Sequence, residues 1–248
     1  MNLHSELQEL QDFLRAALLA PANPDQLAIS GSDDAITWQQ LSVAVTDWFD
    51  RYQHCQQPVG SPVVLYGHQQ AEYAVAIYGF LLHSIPYVPV VCSYPQERLN
   101  EICHLASAPY YYDVATKQFI ATGEAGQALV EHDLAYIMFT SGSNGKPKGV
   151  QIGRERLWHF MKWVREDFAL PDVPVLMNHA VFSFDLSLIP LLANLATGGH
   201  IVLNAKEDIA TENWLDRLKD NGVSVWVSTP SFAYQRLLSP PFNSEYLP

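Results

Sequence analysis

The spacing of apolar residues predicts a helix and then a hairpin in the first part of the chain. Between residues 3 and 18, apolar side chains recur every three or four positions, which places them on one face of a helix that ends before Pro21. Residues 27–41 alternate apolar and polar side chains around a Gly-Ser-Asp-Asp turn, as the strands of a hairpin do. Thr37 stands just before a helical pattern that begins near Trp38, so we expect its hydroxyl to cap that helix.

Apolar runs then alternate with helical patterns, which predicts parallel strands joined by helices. Residues 62–67 form a short apolar run, residues 69–84 are apolar nearly all round a helix, and residues 86–90 form a second short run. Strand, buried helix and strand in this order form a βαβ unit. From this pattern we predict an α/β protein with layered, mainly parallel sheets and helices on both faces.

The same alternation continues in the second half of the chain. The predicted strands are residues 135–140, 173–178, 200–204 and 223–228. The predicted helices are residues 154–168, 186–199, 211–222 and 231–238. Residues 110–131 have weak periodicity, and we expect them to cross between two α/β subdomains, one within residues 1–131 and the other within residues 132–248.

The composition of the chain limits which binding partners and which cellular locations are expected. The chain has 48% apolar and 16% charged residues, as a globular protein does. Its formal net charge of −12 opposes a phosphate backbone or an anionic membrane surface, so we expect no nucleic-acid partner. No apolar run approaches the roughly 20 residues that span a bilayer. The first residues also lack the pattern of a secretory signal, so we expect a cytoplasmic protein with no membrane span.

The cysteines do not predict a disulfide framework or a metal site. The chain has 3 cysteines, Cys55, Cys92 and Cys103, with no Cys-x-x-Cys pair and no tight cysteine and histidine spacing. We therefore expect free thiols in a reducing compartment, and we predict no metal-binding residue in the chain.

Residues 140–149 carry the most distinctive candidate chemistry. They follow a predicted strand directly and read Thr-Ser-Gly-Ser-Asn-Gly-Lys-Pro-Lys-Gly. Ligands of open α/β sheets bind beyond such strand ends, and a glycine-rich loop with hydroxyl and ammonium groups offers many donors to a polyphosphate. It is not a Walker loop, because only two residues separate Gly142 from Gly145 and Pro147 follows Lys146. On composition alone, a flexible surface loop explains the segment equally well.

The order of residues 134–150 resembles the phosphate-loop motif of the adenylate-forming (AMP-binding) enzymes, a family that includes acyl-CoA synthetases, luciferase and peptide-synthetase adenylation domains. Asn144 stands where threonine is commoner. The resemblance implies that the loop shapes the pocket for the β- and γ-phosphates of ATP. The residues implied are Thr140, Ser141, Gly142, Ser143, Asn144, Gly145 and Lys148, with Lys148 as the catalytic group.

Two further stretches resemble packing motifs of the same family. Residues 36–41 look like its first motif, and residues 81–90 look like its second. Ser84 replaces the usual glycine of the second motif, and Val91 replaces the usual aspartate. Both stretches are core elements in either interpretation, so these departures leave the implied chemistry unchanged.

Asp185 is the candidate ligand for a substrate amino group. The run Phe-Asp-Leu-Ser that contains it resembles the Phe-Asp-x-Ser motif of the amino-acid-activating members, in which the aspartate meets the α-ammonium group. From local sequence alone, Asp185 is more simply the cap of a helix that begins near Leu186. The resemblance implies an amino acid as the acyl donor, because a carboxylate in an apolar pocket needs a cation to pair with it.

The closest likeness within the family is to D-alanine:carrier-protein ligases, and it extends over most of the chain after Asp133. It implies that Ser228, Thr229 and Pro230 form walls of the acyl pocket and that His179 lies at its edge. For Ser228, Thr229 and Pro230, the local pattern is explained equally well by a strand end followed by a helix cap. A histidine near an apolar strand, such as His179, is more often a hydrogen-bonded core residue.

The resemblance implies an activity that uses ATP and Mg²⁺. An amino acid would become an aminoacyl-adenylate and then pass to the thiol of a phosphopantetheinyl carrier protein. The sequence matches the first part of the family's large N-terminal domain, without the later Tyr-Gly-Pro-Thr-Glu segment or the lid lysine. We therefore expect an N-terminal portion that is poorly active alone. The alternative is a non-catalytic nucleotide-binding or interaction module derived from such an enzyme.

Overall fold

The chain folds as an α/β protein with two mainly parallel sheets flanked by helices, which confirms the predicted fold class. This computed structural model describes residues 3–31, 34–127, 133–141, 147–204 and 213–238. Within that part of the chain, every helix is too short or too polar to span a lipid bilayer.

The helices have the following bounds. They are α1 (Leu3–Leu19), α2 (Trp38–Tyr52), α3 (Ala71–Leu82), α4 (Gln96–Leu105), α5 (Arg154–Glu166), α6 (Leu188–Thr197), α7 (Asn213–Asp220) and α8 (Pro230–Leu237). A single 3₁₀ turn, Asp185–Ser187, precedes α6.

The strands have between 3 and 8 residues. They are β1 (Leu27–Ser30), β2 (Ala35–Thr37), β3 (Val63–Gly67), β4 (Tyr87–Val91), β5 (Tyr110–Asp113), β6 (Gln118–Ala121), β7 (Leu134–Ser141), β8 (Pro147–Gly153), β9 (Val175–Asn178), β10 (His200–Leu203) and β11 (Val225–Val227).

The larger sheet has six strands in the order β6-β5-β3-β4-β7-β8. Its four inner strands are parallel, and β6 and β8 close the two edges as antiparallel partners of β5 and β7. The predicted βαβ unit lies at its centre, where β3 and β4 pair in parallel and are joined by α3. Every residue of α3 is buried, as its apolar composition on all sides requires.

The smaller sheet has five strands in the order β11-β9-β10-β1-β2. Its strands are parallel except for the predicted hairpin of β1 and β2, which pair antiparallel. The predicted cap is present at Thr37, whose hydroxyl accepts a hydrogen bond from the Gln40 backbone N–H at 3.2 Å. Gly198 ends α6 in the left-handed conformation, with φ of 68°, which glycine adopts readily.

Each sheet takes strands from both sides of the expected boundary between residues 131 and 132. Strands β7 and β8 join the sheet built from β3 to β6, and β1 and β2 join the sheet built from β9 to β11. One hydrophobic cluster contains side chains of both sheets, for example Ile29 and Ile201 from the smaller sheet with Leu65 and Tyr87 from the larger. The division into 1–131 and 132–248 stays a prediction, and it does not coincide with the division between the sheets.

Residues 110–121 correct one expectation. They do not form a crossing segment, because they contain β5 and β6, which pair with each other at the edge of the larger sheet. Strand β6 has only 4 residues, none of them buried, and so it has no apolar alternation to detect. The sequence patterns also miss β8 and α4.

Candidate active site

A cleft of about 510 Å³ opens beside β7, close to the loop predicted to bind phosphate. Tyr136, Met138 and Thr140 alternate along β7, so their side chains share one face of the strand, and all three line the cleft. Val150 and Ile152 of the neighbouring strand β8 continue the wall. The cleft therefore lies toward the carboxyl end of a parallel strand, where open α/β sheets bind ligands.

The hairpin of β7 and β8 brings Lys148 next to the cleft. Thr140 pairs with Lys148 and Ser141 with Pro147 across the antiparallel ladder, and the Thr140 hydroxyl lies 3.4 Å from the Lys148 carbonyl oxygen, to which it donates. Lys148 itself is exposed. Gly149 lets the two strands approach, because a Cβ there would lie 2.8 Å from the Ile137 Cγ2.

Part of the predicted phosphate loop lies outside the described residues. This applies to Gly142, Ser143, Asn144 and Gly145, and to the side chain of Ser141. Of the predicted set, the structure therefore gives side-chain positions for Thr140 and Lys148, at the two ends of the loop.

The segment 181–185 contributes four further lining residues to the cleft and is held by contacts with the βαβ unit. The Gln69 side-chain amide donates to the Ala180 carbonyl oxygen at 2.5 Å. Phe182 is buried and stacks on Tyr73 of α3, with ring centroids 4.6 Å apart. These two contacts hold the segment that precedes Asp185, and Asp185 lines the cleft together with Thr140.

Asp185 lies between two cavities. It lines the cleft beside β7 and also a neighbouring cavity of about 310 Å³, and Tyr136 and Ile152 likewise line both. Burial and, secondarily, the nearby Asp185 carboxylate raise the pKa of Tyr136 to about 12, so Tyr136 stays a neutral hydroxyl in the site. Asp185 does not cap a helix, because the N-cap of α6 is Ser187 and no side chain makes a capping hydrogen bond there or at the 3₁₀ turn.

The other predicted substrate residues lie at the edge of the smaller sheet and do not line this cleft. Ser228 and Thr229 follow β11, and the Thr229 hydroxyl caps α8 by accepting from the Phe232 N–H at 3.3 Å. Pro230 is the first residue of α8, in the position that proline favours. His179 packs against Phe232, with ring centroids 4.0 Å apart, within an aromatic cluster. The structure thus brings Thr140 and Asp185 together, and it places the other four residues in a separate group.

Two tyrosines of the cleft, Tyr94 and Tyr136, are not predicted from the sequence. Tyr136 has a usable signal, because it stands four positions before Thr140 in a strand and must share its face. Tyr94 comes from the turn after β4, and only the pairing of β4 with β7 brings that turn to the cleft.

The described residues of the cleft offer a single carboxylate, Asp185, to a divalent ion. Mg²⁺ is usually bound by one or two carboxylates together with substrate phosphates and water, so these residues alone do not form a complete magnesium site. Elsewhere, ligand atoms of Glu6, Glu155 and His159 lie within 4.8 Å of one another. The Lys162 ammonium lies 3.8 Å from Glu6 and His159 lies 3.0 Å from it, so this cluster has the composition of an ion-pair network between α1 and α5.

Comparison with known proteins relates the chain to one family of enzymes. The sequence profile of a family described as "AMP-binding enzyme" matches residues 110–246. A D-alanine--D-alanyl carrier protein ligase of Bacillus licheniformis is 32% identical over 250 residues, which are 92% of this chain and 50% of the relative. Its counterpart in Bacillus cereus is 33% identical over 250 residues, which are 91% of this chain and 49% of the relative. The chain therefore spans about half the length of the curated relatives it matches.

Solved structures share the fold at lower identity. The nonribosomal peptide synthetase FmoA3 bound to alpha-methyl-L-serine-AMP superposes with a TM-score of 0.76 at 21% identity, over 97% of this chain and 29% of that chain. The ATP-bound RpMatB-BxBclM chimera B3 also gives a TM-score of 0.76, at 16% identity, over 96% of this chain and 53% of that chain.

Proposed function

Because the chain belongs to the family of AMP-binding enzymes, we propose that it takes part in the ATP-dependent activation of an amino acid carboxylate for transfer to a carrier-protein thiol. The observation that carries the proposal is the cleft that Thr140 and Asp185 line together. Thr140 belongs to the predicted phosphate loop, and Asp185 presents a carboxylate to the substrate.

In the proposed reaction, the substrate carboxylate attacks the α-phosphorus of ATP, and an aminoacyl-adenylate and pyrophosphate form. The task of the protein is to position the reactants and to stabilise charge on the leaving pyrophosphate. The exposed Lys148 ammonium supplies a charged donor for that purpose, and the Thr140 hydroxyl supplies a neutral one once it turns from the Lys148 carbonyl oxygen to the phosphate. We assign the same role to the donors of residues 141–145.

Asp185 selects the acyl donor in this proposal. Its exposed carboxylate pairs with the substrate's α-ammonium group, and the neutral Tyr136 hydroxyl beside it adds no competing charge. The similar ligases are named for D-alanine and for a D-alanyl carrier protein, so D-alanine is the first amino acid to test and a phosphopantetheinyl carrier protein is the proposed acceptor.

Mg²⁺ is assigned to ATP itself in this proposal. The divalent ion offsets phosphate charge when it accompanies the nucleotide, and the lining residues described in the cleft do not hold it alone. The role of this chain is to supply the donors of the phosphate loop.

The proposal is tested by ATP binding to the chain, measured by isothermal titration calorimetry in the presence of Mg²⁺. Lys148→Ala removes a charge-assisted hydrogen bond of about 1.5–3 kcal/mol, and so we expect at least a roughly tenfold weaker affinity. Lys219→Ala is the matched control, because Lys219 is exposed on α7 and does not line the cleft. If ATP binds the Lys148 variant as tightly as the control, the phosphate role of Lys148 is wrong.

Amino-acid-dependent exchange of pyrophosphate into ATP separates the proposal from its alternative. Exchange stimulated by D-alanine or another α-amino acid supports activation. ATP binding without exchange for any amino acid, both for the chain alone and after the C-terminal half of a similar ligase is added, supports a non-catalytic nucleotide-binding module.

A further inference from the structure

A cysteine and a histidine meet at the edge of the larger sheet where β3 and β4 end. His68 follows β3, Cys92 follows β4, and these two strands pair in parallel. The Cys92 Sγ lies 2.9 Å from the His68 Nδ1 and 3.3 Å from its Nε2. The Cys92 backbone N–H donates to the Gly67 carbonyl oxygen at 3.0 Å, which fixes the two residues side by side.

The pair is open to solvent. His68 is exposed and Cys92 is partly exposed. Tyr66 on β3 and Tyr73 on α3 interact electrostatically with the thiol, and burial raises the pKa of both, so both stay neutral. Asp113 on β5 lies near Tyr66. The His68 imidazole contacts the thiol, and an imidazole is a base that can accept a proton from a thiol.

The other two cysteines have the opposite environment. Burial raises the pKa of Cys55 to about 11 and that of Cys103 to about 12. Their thiolate forms are scarce at neutral pH, and the thiolate is the reactive form. Cys55 and Cys103 therefore serve as internal controls, because both thiols are expected to react slowly.

We propose that Cys92 is a reactive thiol, activated by His68, that is modified by low-molecular-weight disulfides and other soft electrophiles. A thiol beside an imidazole passes its proton to the ring and is left as a nucleophilic thiolate. In the exchange, the Cys92 sulfur attacks one sulfur of the disulfide, and the new S–S bond forms as the old one breaks. The thiol proton goes to His68, and the released thiolate carries away the electron pair, so no further oxidant is needed.

The modification site adjoins the candidate active site without being part of its lining. Cys92 belongs to a turn closed by a 3.1 Å hydrogen bond from the Tyr94 N–H to the Val91 carbonyl oxygen, and Tyr94 lines the cleft. A group attached to Cys92 is therefore placed at the margin of that cleft. The reactivity itself does not depend on the proposed function.

The test is the reaction of the native chain with 5,5′-dithiobis(2-nitrobenzoate), followed by the colour of the released thiolate. We expect one thiol per chain to react in a fast phase, and peptide mass spectrometry of the partly labelled wild type to place the label on Cys92. Cys92→Ser should remove the fast phase, and Cys55→Ser should retain it. Label distributed evenly over the three cysteines, or found first on Cys55 or Cys103, overturns the proposal.

The histidine is tested by His68→Gln, with His54→Gln as the matched control at another exposed histidine. An activated thiol has a larger thiolate fraction at pH 7 than an ordinary cysteine, which is about 3% thiolate. Because nucleophilicity falls with the pKa, the net loss of rate expected for His68→Gln at pH 7 is about threefold. The midpoint of its pH–rate profile should rise by about one unit or more. A rate and a midpoint that match the control show that His68 does not activate Cys92.

Discussion

At the scale of single residues, the surroundings of the Asp185 carboxylate determine its role. Asp185 is exposed where two cavities meet, and the 3₁₀ turn that it begins leaves its side chain free of any capping hydrogen bond. A solvated carboxylate costs little free energy to keep, and it gains a partner only when a cation enters the cleft. This is the behaviour expected of a group that selects a ligand.

The substitution Asp185→Asn should remove that selection while keeping the shape of the side chain. We expect an aminoacyl sulfamoyl-adenosine, a stable analogue of the adenylate, to bind at least about tenfold more weakly, because an ion pair is replaced by a neutral contact. The analogue without the α-amino group should bind the variant and the wild type alike. Titration calorimetry measures both affinities. Ser183→Ala, which changes another lining residue, is the control, and an equal loss for both analogues contradicts the ammonium assignment.

Single residues also show how far the candidate site is predictable from the sequence. Thr140 and Asp185 are predicted from motifs on two separate segments, and the structure brings them to one cleft. The same motifs do not reveal that His179 packs in an aromatic cluster with Phe232, because that contact joins β9 to α8 through the fold of the smaller sheet. Local patterns indicate chemistry, and tertiary pairing decides which candidates meet.

At the scale of elements, α2 shows a boundary set entirely by local chemistry. The Thr37 hydroxyl accepts from the Gln40 N–H at 3.2 Å, and the Gln40 side chain accepts from the Thr37 N–H at 2.8 Å. This reciprocal capping box satisfies two backbone donors that the first turn would otherwise leave unpaired. The sequence predicts the Thr37 cap because the cap and the helix start are adjacent in the chain, and the return bond from Thr37 to Gln40 is seen only in the structure.

Removing the Thr37 cap should lower the stability of the chain by about the free energy that one capping hydrogen bond contributes. Thr37→Ala is expected to lower the free energy of unfolding by about 1 kcal/mol. Thr37→Ser keeps a capping hydroxyl, so its free energy of unfolding should stay close to that of the wild type. Urea denaturation followed by circular dichroism measures the change. Thr46→Ala is the control on the same helix, since the exposed Thr46 hydroxyl donates only to the Ser42 carbonyl oxygen, and its effect should stay within about 0.5 kcal/mol. Equal effects of the two alanine substitutions would rule out a stabilising cap.

Elements without local signals are the ones that the sequence misses. Strand β8 contains a proline and two glycines and is mostly exposed, so no apolar alternation indicates it. It is a strand because β7 supplies hydrogen-bonding partners along its whole length. Strands β5 and β6 are likewise fixed by their neighbours in the larger sheet, whereas α3, with an apolar surface on every side, is evident from its sequence.

At the scale of the whole molecule, Asn194 joins the two sheet systems. It is fully buried on α6, and its amide donates to the Ala28 carbonyl oxygen at 3.1 Å and to the Gly199 carbonyl oxygen at 2.8 Å. Its side-chain oxygen accepts from the Tyr78 hydroxyl of α3 at 2.7 Å. One side chain therefore connects the smaller sheet to the buried helix of the larger sheet's βαβ unit.

Replacing this side chain should weaken the whole fold. Asn194→Ala removes three buried hydrogen bonds and leaves polar partners unsatisfied, and so we expect a loss of about 3 kcal/mol in the free energy of unfolding. Tyr78→Phe removes one donor and keeps the ring, and we expect about 1 kcal/mol. Guanidinium chloride denaturation, followed by tryptophan fluorescence, compares the two. If Asn194→Ala is as stable as the wild type, these hydrogen bonds make no net contribution to the free energy of unfolding.

The pairing of β1 with β10 has a consequence for the order in which the molecule assembles. The Ser30 hydroxyl lies 2.8 Å from the His200 Nε2, although 170 positions separate them in the chain. During synthesis, the β1 and β2 hairpin leaves the ribosome long before its parallel partner exists, and its open edge must wait for β10. Contacts this distant close slowly, so the smaller sheet should be the last part of the protein to form and the part most in need of a chaperone's protection.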